Sequence, residues 1–266
     1  MNGGIHVLII TTGDHSAAEP VQRAMALSSK SGARFVPRNR TSLSKLSQRY
    51  GDDDILVILE GGARLHRTGA EPLTFHPSMA FVRAKRILRG EPDTMLEAAG
   101  VRPGDTIIDC TAGLGSDSSV FSLGAGSTGQ VIALEDSLSL WALLTEGLAY
   151  YESGVPPYDA ALRRIETRHV HHLEALREMP AKSADVVYFD PMFRDPIMES
   201  SAISPLRTFA NNEGLSEETI EEACRVARRS VVLKEKKGSS EFARLGFQEV
   251  GRSHTKIVYG VISLDE

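Results

Sequence analysis

Cysteine is nearly absent from this 266-residue chain, which holds only Cys110 and Cys224 at no spacing that suits a metal site or redox pair. That excludes a disulfide-built scaffold. Long hydrophobic runs are missing as well. No stretch reaches 18 apolar residues, so no membrane-spanning helix is expected. The opening Met1-Asn2-Gly3-Gly4 carries no positive charge and the apolar run at 5–10 is short for a signal peptide, so the chain is expected to be cytoplasmic. Internal repeats and low-complexity segments are lacking too. Aromatics make up 6%, and the single tryptophan, Trp141, lies in an apolar helical stripe where a core role is expected. What remains is the composition of a globular protein, 41% hydrophobic and 24% charged, long enough for one large core with an appendage.

The net charge of −5 is unevenly spread. Residues 1–91 hold thirteen Lys and Arg against eight Asp and Glu, whereas the rest of the chain is acidic. Arg34, Arg38, Arg40, Lys45 and Arg49 run without an intervening acid, and Arg83, Lys85, Arg86 and Arg89 follow on a helical pattern. Such a basic part is where a polyanion could dock.

Strand and helix patterns alternate along the chain. Strands are expected at 5–12, 34–36 and 55–59, with helices near 20–29 and 43–50, followed by a turn-rich stretch at 61–77 and a helix at 78–88. This predicts a small basic α/β N-terminal domain over 1–77, a helical connector over 78–104, and a second domain over 105–266. In the last, strands at 106–110, 131–134, 166–170, 186–189 and 230–233 alternate with helices at 138–150, 173–179 and 217–227. Parallel neighbours need crossovers, so the pattern implies a doubly wound, mostly parallel sheet. Two adjacent strands are expected at 247–252 and 256–264.

Two segments carry chemistry. In Ile107-Ile108-Asp109-Cys110-Thr111-Ala112-Gly113-Leu114-Gly115-Ser116-Asp117, an apolar strand gives way to a glycine turn and then a helix start. Gly113 and Gly115 let a backbone approach a ligand, and the helix start offers unpaired N–H groups. A dinucleotide site would set pyrophosphate there, but Asp109 and Asp117 flank the loop and repel it. Carboxylates suit a ligand with an ammonium group and no phosphate, which describes S-adenosylmethionine (SAM). The next strand ends at Glu135, where an acid can accept both ribose hydroxyls.

The second segment, Val186-Val187-Tyr188-Phe189-Asp190-Pro191-Met192-Phe193, is a buried strand ending in a polar turn at the sheet's ligand-binding edge. Asp190-Pro191-Met192-Phe193 resembles the Asp/Asn-Pro-Pro-aromatic motif of amino-methyltransferases, with methionine in place of the second proline. A conjugated exocyclic amine is a poor nucleophile. A carboxylate and a proline-fixed carbonyl can accept its hydrogens and draw the lone pair toward a methyl donor, with Phe193 stacking on the base.

Together with Val231-Val232-Leu233-Lys234, these strings resemble the small-subunit ribosomal RNA guanine-N2 methyltransferase family of class I SAM enzymes, over about residues 61–260. The resemblance implies a seven-stranded sheet with a C-terminal antiparallel hairpin, SAM as cofactor with S-adenosylhomocysteine as product, and rRNA or the assembled subunit as partner. Matched by motif, cofactor contacts fall on Ser116 and Asp117, Glu135 and Asp136, His171 and His172, and Asp190, with Asp109, Gly113 and Gly115 forming the turn. Asp190, Pro191 and Phe193 are the implied catalytic residues. The histidine pair departs from the small hydroxyl residues expected there.

Other readings stay open: a DNA or small-molecule amino-methyltransferase, or a non-catalytic RNA-binding protein. His169, His171 and His172 invite a metal, but no carboxylate or thiol sits at ligand spacing, and no metal is expected. Arg194 and Arg207 are weaker candidates for substrate phosphate. The run Lys234-Glu235-Lys236-Lys237 reads as a strand end reaching solvent, with Lys234 at a position the family shares.

Overall fold

A computed structural model describes residues 8–191, 209, 214–250 and 256–264. The smaller of its two sheets holds β1 (Ile9–Thr12), β2 (Arg34–Phe35), β3 (Asp54–Leu59), β4 (Gly62–Arg67) and β5 (Leu73–Thr74), in the order β2-β1-β3-β4-β5. Helices α1 (Ala18–Ser31) and α2 (Leu43–Tyr50) make the crossovers between its parallel strands. The stretch expected to be only turns contains β4 and β5. Leu59 pairs with Gly62 across a two-residue turn, and along β4 the buried Ala63 and Leu65 alternate with the exposed Arg64. That period of two is a strand signal, which the paired glycines at 61–62 obscured.

The larger sheet comprises β6 (Thr106–Asp109), β7 (Gln130–Glu135), β8 (Ile165–His169), β9 (Ala184–Phe189), β10 (Ala227–Lys236), β11 (Gln248–Val250) and β12 (Ile257–Ser263), ordered β11-β12-β10-β9-β6-β7-β8. Five strands are parallel, and β12 runs antiparallel between β10 and β11. This is the doubly wound sheet with a terminal hairpin that the sequence implied. From β6 the chain winds outward through β7 and β8, then returns to β9 on the other side. The order therefore reverses between β6 and β9, where a crevice opens at the carboxyl ends of the strands.

Both faces of this sheet are covered, which is why its strands read as unbroken apolar runs. Ile107, Val186, Tyr188 and Val232 face one layer, while Ile108, Val187, Phe189, Val231 and Leu233 face the other. The first layer holds α3 (Ser78–Ile87), α4 (Thr94–Ala99), α5 (Ser116–Ala125), α6 (Leu138–Tyr150) and α7 (Pro156–Arg163). The second holds α8 (His172–Glu178), α9 (Glu217–Val226) and α10 (Ser240–Leu245).

Helix α6 is apolar nearly all round because it has a sheet on each side. Leu140, Leu143, Leu144 and Leu148 are buried in the same core as Leu8, Ile10, Leu56 and Leu65 of the smaller sheet region. Burying each such leucine contributes about 1.5–3 kcal/mol of transfer free energy. At Gly147 a Cβ would lie 2.0 Å from the Phe75 ring, so only glycine allows that approach.

Candidate active site

The chemistry-bearing residues converge at the crevice because neighbouring parallel strands end together. Asp109 pairs with Tyr188, and Leu233 pairs with Phe189, so Asp190 and Lys234 each follow the last paired residue of adjacent strands. After β6, the Cys110 N–H donates to the Tyr188 carbonyl (2.9 Å) and the Ala112 N–H to the Leu134 carbonyl (3.0 Å), which pins the loop across the strand ends. Gly113 and Gly115 then turn in the left-handed region, at φ 53° and 73°. At Gly115 a side chain is excluded twice, since a Cβ would also come within 2.7 Å of Leu144.

Glu135 faces this loop. Its Oε2 accepts from the Gly113 N–H (2.9 Å) and its Oε1 from the Ser137 N–H (2.8 Å). Each oxygen keeps a second lone pair, the capacity that two vicinal hydroxyls need. Asp109 is buried, taking the Ser118 hydroxyl (2.5 Å) and the Thr111 N–H (3.2 Å). Burial pushes both carboxyls up to about 7, against the pull of those hydrogen bonds. Asp136 follows as an exposed residue. Beyond β8, the Val170 N–H donates to the Glu135 carbonyl (3.2 Å), which brings the histidine pair alongside. His171 caps α8, its ring lies 4.1 Å from that of His172, and burial with the neighbouring imidazole lowers His172 to about 4.

Asp117 is the most heavily engaged of the predicted residues. In the first turn of α5, just after Ser116, it accepts from Arg83 Nη1 (2.7 Å), Tyr188 OH (2.7 Å) and Lys234 Nζ (2.8 Å). Its burial would raise the carboxyl, but the Lys234 and Arg83 charges outweigh that and hold it well below the usual range. Asp190 donates its N–H to Thr111 Oγ1 (2.6 Å), accepts from Lys234 Nζ through Oδ2 (2.6 Å), and keeps a partly exposed side chain. Pro191 follows, half-buried. Phe193, Arg194 and Arg207 lie outside the described residues.

Three participants were not anticipated as site residues. Lys234, read as a solvent-facing strand end, is instead an internal counterion to two carboxylates. Arg83, read as part of a basic face, turns inward to Asp93 and Asp117. Tyr188 is buried against Phe121 with its hydroxyl on Asp117. The available signal for Lys234 was its place directly after the apolar run Val231-Val232-Leu233, as Asp109 and Asp190 directly follow theirs.

A family model described as "Putative SAM-dependent methyltransferase" matches residues 65–250. The chain belongs to this SAM-dependent methyltransferase family. It is 39% identical over 254 residues to Uncharacterized protein YpiP of Bacillus subtilis (strain 168), covering 96% of this chain and 98% of that one. It is 30% identical over 213 residues to Ribosomal RNA small subunit methyltransferase J of Edwardsiella ictaluri (strain 93-146), covering 73% and 82%. A crystal structure of a SAM-dependent methyltransferase from Neisseria gonorrhoeae shares the fold at TM-score 0.62 and 18% identity, covering 96% of this chain and 95% of that one.

The cofactor of the methyltransferase is thus SAM, and the crevice fits it. The partly exposed Asp190 carboxyl suits a cationic ligand, and buried Glu135 retains acceptors for ribose. Among the described residues no His, Cys, Asp and Glu cluster could hold a metal, and no helix is long and apolar enough to cross a membrane. Trp141 is buried in the core.

The raised carboxyls give a pH dependence with a definite sign. A cationic ligand favours ionised Glu135 and Asp109, so its binding expels protons held below about pH 7. SAM affinity measured by calorimetry is expected to rise about tenfold from pH 6 to pH 8 for each proton expelled. Glu135→Gln should bind more weakly and flatten that rise. The ligand-free fold responds oppositely: the unfolded chain ionises earlier, so stability declines as pH rises from the usual carboxylate range through about 7.

Proposed function

We propose that the methyltransferase acts on an exocyclic amine of an RNA base, with guanine N2 of small-subunit ribosomal RNA as the target that the family resemblance implies. The observation that carries this reading is Asp190 at the crevice beside the SAM loop, its carboxylate held by Lys234 and its backbone N–H by the Thr111 hydroxyl. Bound SAM supplies an electrophilic methyl group. The amine needs an acceptor for its hydrogens, because conjugation with the base withdraws its lone pair. Lys234 holds Oδ2 of Asp190, and the carboxyl stays partly exposed at the crevice, where the amine can reach it. Pro191 supplies the proposed carbonyl acceptor, and Phe193 is assigned the stacking role.

Glu135, Asp136, Ser116, Asp117, His171 and His172, with Asp109 and the glycines, are the proposed cofactor contacts. The small domain over 1–77 is the proposed docking part for RNA. Arg34 and Arg49 lie over the Tyr50 ring at 4.8 and 5.5 Å, and Arg40 and Lys45 are exposed. Arg38 is engaged elsewhere, with Asp14 and the Thr41 carbonyl. A ribosomal substrate would place the enzyme in the cytoplasm.

Transfer of tritiated methyl from SAM tests the reading against an unmodified small-subunit rRNA transcript, assembled subunits, duplex DNA and free nucleosides. Label in RNA or subunits, recovered as N2-methylguanosine after digestion, is the expected result. Label only in DNA or in nucleosides would overturn it in favour of the corresponding amino-methyltransferase. RNA binding without transfer would mark a non-catalytic module.

A further inference from the structure

The site contains a chain of alternating charges drawn from separate elements. Asp93, at the start of α4, grips Arg83 of α3 through both oxygens at 2.8 Å. Arg83 reaches Asp117 of α5, Asp117 takes Lys234 of β10, and Lys234 takes Asp190 after β9. The sequence of signs is minus, plus, minus, plus, minus. Asp93 and Asp117 are each 8% exposed, whereas Asp190, at the end of the chain, is 28% exposed. Three carboxylates against two cations leave one negative charge, and the outermost member is the one that faces the crevice.

We propose that Lys234 is a positioning residue for methyl transfer, holding the Asp190 carboxylate so that one oxygen and its negative charge point at the target amine. This rests on the reading of Asp190 given above. In the reaction the amine lone pair forms the new N–C bond, and the C–S bonding pair departs to sulfur, giving S-adenosylhomocysteine. The nitrogen is left with a positive charge until its surplus proton leaves to water. That developing cation is the next member of the alternation. A fixed carboxylate at that place stabilises it without rearrangement during the reaction.

Burial alone would favour a protonated Asp190, which accepts one hydrogen bond fewer. The Lys234 ammonium opposes that tendency, and the nearby Asp117 adds to it. Other groups facing this cluster are Asp109 at the end of β6, Tyr188 on β9, Arg83 on α3 and Tyr259, which pairs with Lys234 from β12. None of these donates to Asp190 in place of Lys234 among the described residues. Removing the ammonium therefore leaves Asp190 beside Asp117 with its proton uptake shifted to higher pH.

The experiment compares Lys234→Met and Lys234→Arg with the parent. The Asp190 carboxyl is titrated by carbon NMR in the ligand-free protein, assigned with Asp190→Asn, and kcat is measured on the rRNA transcript at saturating SAM from pH 6 to pH 9. Lys234→Met is expected to titrate Asp190 about two to three pH units higher and therefore to lose about 10- to 100-fold in kcat at pH 7, recovering as pH rises. Lys234→Arg should restore most of the rate and the parental titration. Arg83→Met, one link further away, should shift both in the same direction by less, and it serves if Lys234→Met does not fold. An unshifted titration with a uniform, pH-independent loss would reduce Lys234 to packing and overturn the proposal. Parental kcat in Asp190→Asn and Asp190→Ala would instead overturn the reading of Asp190, and the NMR titration would still report on Lys234.

Discussion

Asp190→Ala is expected to lose about 10²-fold or more in methyl transfer to RNA while still saturating with SAM, the usual cost of removing one preorganised acceptor. The size of the effect follows from how few groups can replace it. Asp109 and Glu135 are already committed to the loop, and Asp117 accepts from three donors. Asp190→Asn separates the two tasks of the carboxylate. Its one carboxamide oxygen can face either Lys234, which now holds Oδ2 at 2.6 Å, or the amine, and its NH2 group then meets the other donor. The asparagine variant should therefore fall between parent and alanine. Calorimetry with SAM on both variants distinguishes a lost acceptor from a lost cofactor contact. Near-parental transfer by the alanine variant would reduce the segment after β9 to a turn.

The parts of this site visible in the sequence are those written into one strand at a time. An apolar run ending in an acid marks Asp109, Glu135 and Asp190 as polar groups at the edge of a sheet covered on both faces. The order of strands and helices then implies the crevice. What escaped local reading depends on residues far apart in the chain. Arg83 lies in a run of cations that looks solvated, and its partner Asp117 is 34 residues away. Lys234 and Asp190 are 44 residues apart and meet only because β9 and β10 pair in register. Helix α7 was missed for a different reason. Its Pro156 and Pro157 signal a turn, yet proline also suits the first helical positions, where the missing N–H costs nothing. The burial of Tyr158 and Leu162 behind them completes the helix.

The largest expected loss of stability comes from the contact between the two sheet regions. Arg23 on α1 donates to Glu146 on α6 through Nε (2.8 Å) and Nη2, with the side chains only 5% and 4% exposed. Its guanidinium also reaches Glu19, lies 4.0 Å from the Tyr150 ring and contacts the Glu60 carbonyl. Glu146→Ala leaves this cation buried with the exposed Glu19 as its remaining carboxylate, and a broken buried pair costs about 3–5 kcal/mol. For a chain of this size that lowers the Tm by roughly 6–20 °C. Arg23→Met leaves the opposite orphan. Burial already raises the Glu146 carboxyl despite Arg23, and without that cation it ionises later still. The unfolded chain ionises first, so this variant should lose stability as pH rises toward and past neutral, whereas mild acid should partly rescue it. The double variant Arg23→Met with Glu146→Leu removes both charges and should melt close to the parent, because apolar side chains of similar volume often replace a buried pair at little cost. Scanning calorimetry of the three variants decides the matter. A double variant as unstable as Glu146→Ala would show that shape rather than charge holds α1 to α6. A Glu146→Ala protein melting within a degree or two of the parent would show that Glu19 alone satisfies Arg23.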